Sequence, residues 1–243
     1  MTHPVIALYT DFGTRDPYVG QMHAAIAERA PGTPVIDLHH YAPPFEPGPA
    51  GLLLEALLPF LPTGAVVVGV VDPGVGTDRG TLAVTTREHW LVGPDNGLFT
   101  PLLDAEATTC YRLEVVPSRS PSASFHGRDL FAPAAAELVR GDRMVLGPEV
   151  PDPQRLEVSR AQILYVDHYG NLITGLPVPG EEGRSLRVAG RELAFARTFG
   201  EVERGELFWY RNSLDLVEVA AREASAADLL GAGAATPVSW AVD

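Results

Sequence analysis

The chain has 243 residues, 46% hydrophobic and 20% charged, with a formal net charge of −13 and one cysteine, Cys110. That length and apolar fraction support one large domain, or a medium domain with a smaller one, and exclude a chain that stays disordered. The acidity argues against nucleic acid and anionic membranes as partners, and a lone cysteine excludes an intrachain disulfide or a thiolate metal cluster.

The first residues, MTHPVIALYTDF, lack a basic region ahead of an apolar run, so no secretory signal is expected and a cytoplasmic location is. Residues 5–9 (VIALY) read as a strand ended by the turn-like TDFG. Helical spacing runs over 18–30, a second strand over 34–38, and an apolar helix over 51–61. The run VVVGVV (66–71) reads as a strand covered on both faces, and Glu55 and prolines keep the surrounding apolar stretch from being a membrane span. Strands follow at 81–85, 90–92 and 110–115, where Cys110 reads as a buried hydrophobe, and then an Ala-rich helix at 129–140. Strands alternating with helices predict an α/β layer fold with a largely parallel sheet. Three prolines within 148–153 read as a linker, which divides the chain into an α/β domain (1–152) and a second domain (153–243). In the latter, short strands at 162–166, 171–174, 185–188, 192–196, 206–210 and 216–220 predict a small antiparallel sheet or barrel.

In open α/β sheets ligands gather at the carboxyl ends of strands, and several polar clusters fall there. Asp11, after the first strand, can accept hydrogen bonds from a ribose diol or cap its own turn; Asp16 follows five residues on. In DPGVGTDR a sharp bend presents Asp72 and Arg79 together, either as chemistry or as a structural ion pair. Its glycines miss the dinucleotide fingerprint. PDNG (94–97) is a strong turn signal without need of function. His126, in SFHGRD, stands at a strand-to-helix junction, where Arg128 and Asp129 can equally make local ion pairs. Asp167, Tyr169 and Asn171 surround a glycine turn that can recognise a purine by stacking and amide hydrogen bonds, or simply close a hairpin. The histidines show no close metal-binding spacing.

Together TDFG…DPYVGQM, VVDPGVGTDR, VGPDNG, SFHGRDLFAPAAA, DHYGNLITG and NS…REASAADLLG, in this order over nearly the whole chain, resemble the S-adenosylmethionine hydroxide adenosyltransferases, the adenosine-forming S-adenosylmethionine hydrolases. That family is similar to the fluorinases and chlorinases that act on the same substrate. The resemblance implies a Rossmann-like N-terminal domain, a C-terminal β-barrel, and a homotrimer whose ligand lies between the N-domain of one subunit and the C-domain of the next. It implies hydrolysis of S-adenosylmethionine to adenosine and methionine, without metal or cofactor, by a triad matching Asp72, Arg79 and His126. Asp11 matches the ribose aspartate, and Asp16 and Asp167 match holders of the methionine ammonium. Tyr169, Asn171, Phe199, Arg222 and Ala224 match the adenine site, and Tyr210 and Ser213 the methionine end. The chain departs from the pattern at Asp215 and Ala224, where glycine is common, and at Leu214, where halogenases place an arginine.

Chemically, in-line attack at ribose C5′ needs a water held opposite the C–S bond. Arg79 is expected to favour hydroxide character, with His126 or Asp72 taking the proton. A halide-using enzyme of the same family, a nucleoside-binding module with little turnover, and an enzyme on another nucleoside are the competing readings.

Overall fold

In a computed structural model, residues 4–117, 120–180 and 183–241 are described. The chain divides into two compact units, Met1–Glu157 and Val158–Asp243.

The first unit is built on seven strands: β1 (Ile6–Thr10), β2 (Val35–His39), β3 (Val66–Val70), β4 (Thr81–Thr85), β5 (Trp90–Pro94), β6 (Thr109–Leu113) and β7 (Leu146–Glu149). Their order is β2-β1-β3-β5-β4-β6-β7. β2, β1, β3 and β5 run parallel, whereas β4, β6 and β7 pair antiparallel. The expected parallel sheet thus describes one half. The other half turns antiparallel because residues 86–89 join β4 to β5 as a hairpin, too short for the crossover that a parallel neighbour requires.

Every residue of β1 and β3 is buried, because helices cover both faces. Ile6, Leu8, Val66 and Val68 pack with Met22 and Ile26 of α1 (Tyr18–Arg29) and with the alanines of α3 (Ala132–Val139). Ala7, Tyr9 and Val67 pack on the opposite face with Leu54 of α2 (Pro47–Leu57), and with Leu98 and Phe99. α2 begins four residues before the expected start at 51, since prolines are tolerated in a first helical turn, and it tightens into a 3₁₀ turn at Leu58–Phe60. The stretch expected as a linker opens in β7, where Pro148 is accommodated because β7 is an edge strand. Cys110 is buried, and burial raises its thiol pKa.

The second unit holds β8 (Ile163–Val166), β9 (Leu172–Pro177), β10 (Leu186–Val188), β11 (Arg191–Leu193), β12 (Leu207–Arg211), β13 (Leu216–Ala221), a short helix α4 (Ala226–Leu230) and β14 (Val238–Trp240). These strands form two antiparallel sheets, β12-β13-β9-β8 and β11-β10-β14. Between the sheets, Gln162–Pro237 and Phe195–Trp209 form isolated bridges and not continuous ladders. One core, centred on Trp209, Val217 and Val219, serves both. α4 and β14 are additions to the sequence reading; Ser225 caps α4 by accepting from Asp228 N. Among the described residues no helix is long and apolar enough to cross a membrane.

Candidate functional site

The end of β3 is pinned from one side by Asn96, whose Nδ2 donates to Val71 O at 2.9 Å. The following turn closes through Val75 N to Asp72 O and Thr77 Oγ1 to Gly74 O. Gly76 sits at φ 82°, with Ala123 O 2.7 Å from where a Cβ would stand, so only glycine fits. The bend returns Arg79 onto Asp72. Arg79 Nε donates to Asp72 Oδ1 at 2.9 Å, and Nη2 donates both to Asp72 Oδ2 and to His126 Nδ1, the latter at 2.8 Å. Nη1 donates to Gly80 O, and the guanidinium lies 5.4 Å from the centre of the Phe131 ring. Asp72 and Arg79 side chains are only 4% and 8% exposed, so solvent screens their attraction little.

His126 precedes a π-helical turn, Gly127–Phe131, that leads directly into α3. Since Arg79 can only donate, His126 Nδ1 must accept, and the neutral ring carries its proton on Nε2. Burial first, and the Arg79 charge second, lower the His126 pKa. As pH falls, the unfolded state therefore takes up a proton on this ring first. His126 withdraws stability below the ordinary imidazole range and none above it. Long-range ¹H–¹⁵N spectra at the ordinary imidazole pKa of 6.5 are expected to show His126 neutral, with the proton on Nε2; an imidazolium there would contradict the arrangement.

Asp11, Asp72 and His126 face a cleft of about 520 Å³, walled by Phe12, Tyr18 and Phe45. Asp11 Oδ2 accepts Phe45 N at 3.1 Å, and burial raises its pKa, with the Asp72 charge adding to the effect. Arg79 lies behind Asp72 and His126 instead of lining the cleft, and Asp16 is exposed outside it. Arg128 and Asp129 pair with each other, Nε to Oδ1 at 2.7 Å. The sequence reading passed over His40. Its Nδ1 lies 2.9 Å from Thr10 Oγ1, which accepts Phe12 N, and its carbonyl accepts Gly13 N. Both flanks of Asp11 are thereby laced to the end of β2. The paired histidines after the second strand were the available signal.

A second cleft, about 840 Å³, lies wholly within the second unit. Asp167, Tyr169, Asn171, Phe199, Tyr210, Ser213 and Ala224 all line it. Arg222 does not; its guanidinium donates to Val202 O at 2.8 Å. Asp167 organises its own turn, its Oδ1 accepting Tyr169 N and Asn171 N and its Oδ2 accepting Asn171 Nδ2. Gly170, at φ 82°, leaves no room for a Cβ, since Ser225 Oγ would lie 2.2 Å away. Asp215 adopts φ 60°, a left-handed conformation that favours glycine; aspartate tolerates it, and Arg211 pairs with the carboxylate. Sequence reasoning missed Glu218, which is 6% exposed and accepts from Tyr210 Oη at 2.6 Å and Asn212 Nδ2 at 2.9 Å. Burial raises the Glu218 pKa and, with the Glu218 charge, that of Tyr210. A carboxylate in the middle of the apolar run LVEVAA was the signal. Among the described residues no group of three or more His, Cys, Asp or Glu is arranged to hold a metal ion.

Residues 6–146 match the model of the SAM hydroxide adenosyltransferase N-terminal domain, and residues 161–239 match that of its C-terminal domain. The chain belongs to this family. A Thermus thermophilus relative named (R)-S-adenosyl-L-methionine hydrolase is 44% identical, over 94% of this chain and 96% of its own length. A fluorinase of Actinopolyspora mzabensis is 24% identical over 93% of each chain. The crystal structure of an uncharacterized conserved protein from Thermotoga maritima superposes with a TM-score of 0.86 at 29% identity, covering 96% of this chain and 98% of that one. The two family domains fall on the two compact units, and hydrolase relatives stand nearer in sequence than halogenating ones.

Proposed function

We propose that the chain hydrolyses S-adenosyl-L-methionine to adenosine and L-methionine by in-line attack of water on ribose C5′. The observation that carries this is the Arg79 fork gripping Asp72 and His126 at once, beside a cleft that Asp11 also faces. Arg79 is committed to its two partners, so it acts through them. Its grip holds the Asp72 carboxylate and the His126 ring in one geometry. In this reading His126 Nε2–H donates to the water oxygen and Asp72, whose oxygens keep free lone pairs, takes the water proton. The C5′–S bond breaks as the C5′–O bond forms, its electron pair goes to sulfur, and methionine leaves neutral. The leaving sulfur needs no proton, so positioning supplies much of the acceleration. With Asp72 balanced by Arg79, the Asp11 carboxylate leaves the cleft without a spare cation, which favours a sulfonium substrate over a halide and supports water over chloride or fluoride as nucleophile.

Asp11 is the ribose contact in this reading; Tyr169, Asn171, Phe199, Arg222 and Ala224 serve adenine, and the second-unit cleft takes the methionine end on Asp167, Tyr210 and Ser213. Asp16 reaches the methionine ammonium only in the assembled protein. The first unit is Rossmann-like and the second a barrel interrupted between its two sheets. The assembly is a cytoplasmic homotrimer that completes each site between neighbours, with no metal or cofactor.

Incubation with each sulfonium epimer of S-adenosylmethionine, with and without chloride, followed by chromatography, tests the activity. Equimolar adenosine and methionine are expected in both buffers. Chlorinated adenosine would favour the halogenase, and tight adenosine binding without product the binding module.

A further inference from the structure

We propose that Glu218 is a positioning residue that fixes the polarity of the Tyr210 hydroxyl, so that the second-unit cleft selects a ligand end carrying a charged N–H donor. The inference rests on the reading that this cleft takes the methionine end of the substrate.

Tyr210 and Glu218 stand directly opposite each other on β12 and β13, so their side chains share a face. Two residues beyond Tyr210, Asn212 enters the turn between these strands. Its Oδ1 accepts Leu214 N at 2.9 Å and Leu216 N at 3.0 Å. Those two backbone donors lock the amide, and its Nδ2 must face Glu218 Oε2, at 2.9 Å. Glu218 Oε2 is therefore an acceptor, and Oε1 takes the Tyr210 proton at 2.6 Å. With that proton committed, the Tyr210 oxygen has only lone pairs left for the cleft. Among the described residues the cleft's charged lining is Asp167, Glu218 and Glu223, without arginine or histidine. Asp167 already accepts three donors from its own turn. An ammonium group suits such a surface, and an anionic or purely acceptor group does not.

Glu218→Gln reverses this polarity with almost no change in shape. The locked Asn212 amide requires the glutamine oxygen to face it, so the glutamine nitrogen faces Tyr210 and donates. The tyrosine proton then turns into the cleft.

The experiment measures kcat and KM of the wild type, E218Q and Y210F on S-adenosylmethionine and on its analogue with hydrogen in place of the α-amino group. For E218Q, KM for S-adenosylmethionine is expected to rise roughly tenfold or more, as for a lost hydrogen bond to a charged group, with kcat little changed and KM for the analogue unchanged or lower. Y210F removes the same acceptor and should erase the same preference. Equal KM increases on both substrates would mark Glu218 as merely structural and overturn the inference. If the wild type hydrolyses neither compound, the proposed function fails. Calorimetry with L-methionine against 3-(methylthio)propionate then decides the polarity separately: a wild-type preference for methionine that E218Q loses supports it, and no preference or no binding overturns it.

Discussion

Arg79→Met is expected to lower turnover of S-adenosylmethionine by about 10²–10³-fold, the scale of a lost electrostatic contributor, and to cost about 3–5 kcal/mol of stability, the scale for breaking a buried pair. Both effects come from one fork. Without it, Asp72, only 4% exposed, keeps a poorly solvated charge with no cation to balance it. His126 Nδ1 loses its donor at the same time, so the ring is free to take either tautomer or to rotate. Arg79→Lys should recover part of the stability but little of the turnover, because one ammonium cannot span the two Asp72 oxygens and His126 together. Single-turnover kinetics and urea unfolding on the same preparations separate the two losses. Wild-type turnover in Arg79→Met would dismiss the triad.

The second large effect lies in the sheet that carries this turn. Gly93→Ala is expected to destabilise the protein by about 3 kcal/mol, at the upper end for overpacking a tight interior. A Cβ at Gly93 would stand 2.3 Å from Gly69 O of the neighbouring strand and 2.9 Å from Phe99 Cζ. Neither can yield cheaply: the carbonyl belongs to β3, and the Phe99 ring is 1% exposed within the core. Gly20→Ala is the matched control. Nothing lies within 4 Å of its Cβ position on α1, so it should stabilise by about 0.5–1 kcal/mol through helix propensity. A thermal or urea midpoint for Gly93→Ala equal to wild type would mean that β3 and β5 separate more easily than their packing indicates.

How much of this was legible in the sequence follows from the range of each interaction. Strands such as 81–85 could be read off because alternation and β-branching act within a few residues. The antiparallel half of the first sheet could not, since it depends on which neighbour β4 finds through a four-residue connection. The clusters around Asp11, Asp72 and Asp167 stood out because each follows an apolar run and breaks its pattern, and His126 because it stands just ahead of a helical stretch. Their burial and hydrogen-bonded partners did not, as with Arg79, which serves its neighbours from behind. Arg222 stood in a recognisable motif, but its bond to Val202 O is a backbone contact that no side-chain pattern announces. Glu218 shows the converse: the charge was visible, but its meaning required knowing that Tyr210 stands across the ladder.

The π-helical turn after His126 has a consequence for the length of the chain. Ala132 N reaches back five residues to Gly127 O, where an α-helix would reach back four. This stretch therefore runs one residue behind the regular helical clock, and each residue of phase is worth about 100° of rotation. Deleting one residue would restore an ordinary helix and satisfy the backbone equally well. It would also swing either the His126 ring away from Arg79 or the alanine face of α3 away from the sheet. Here the count of residues, apart from their identity, is under constraint: a shorter and more regular helix and an intact site are mutually exclusive.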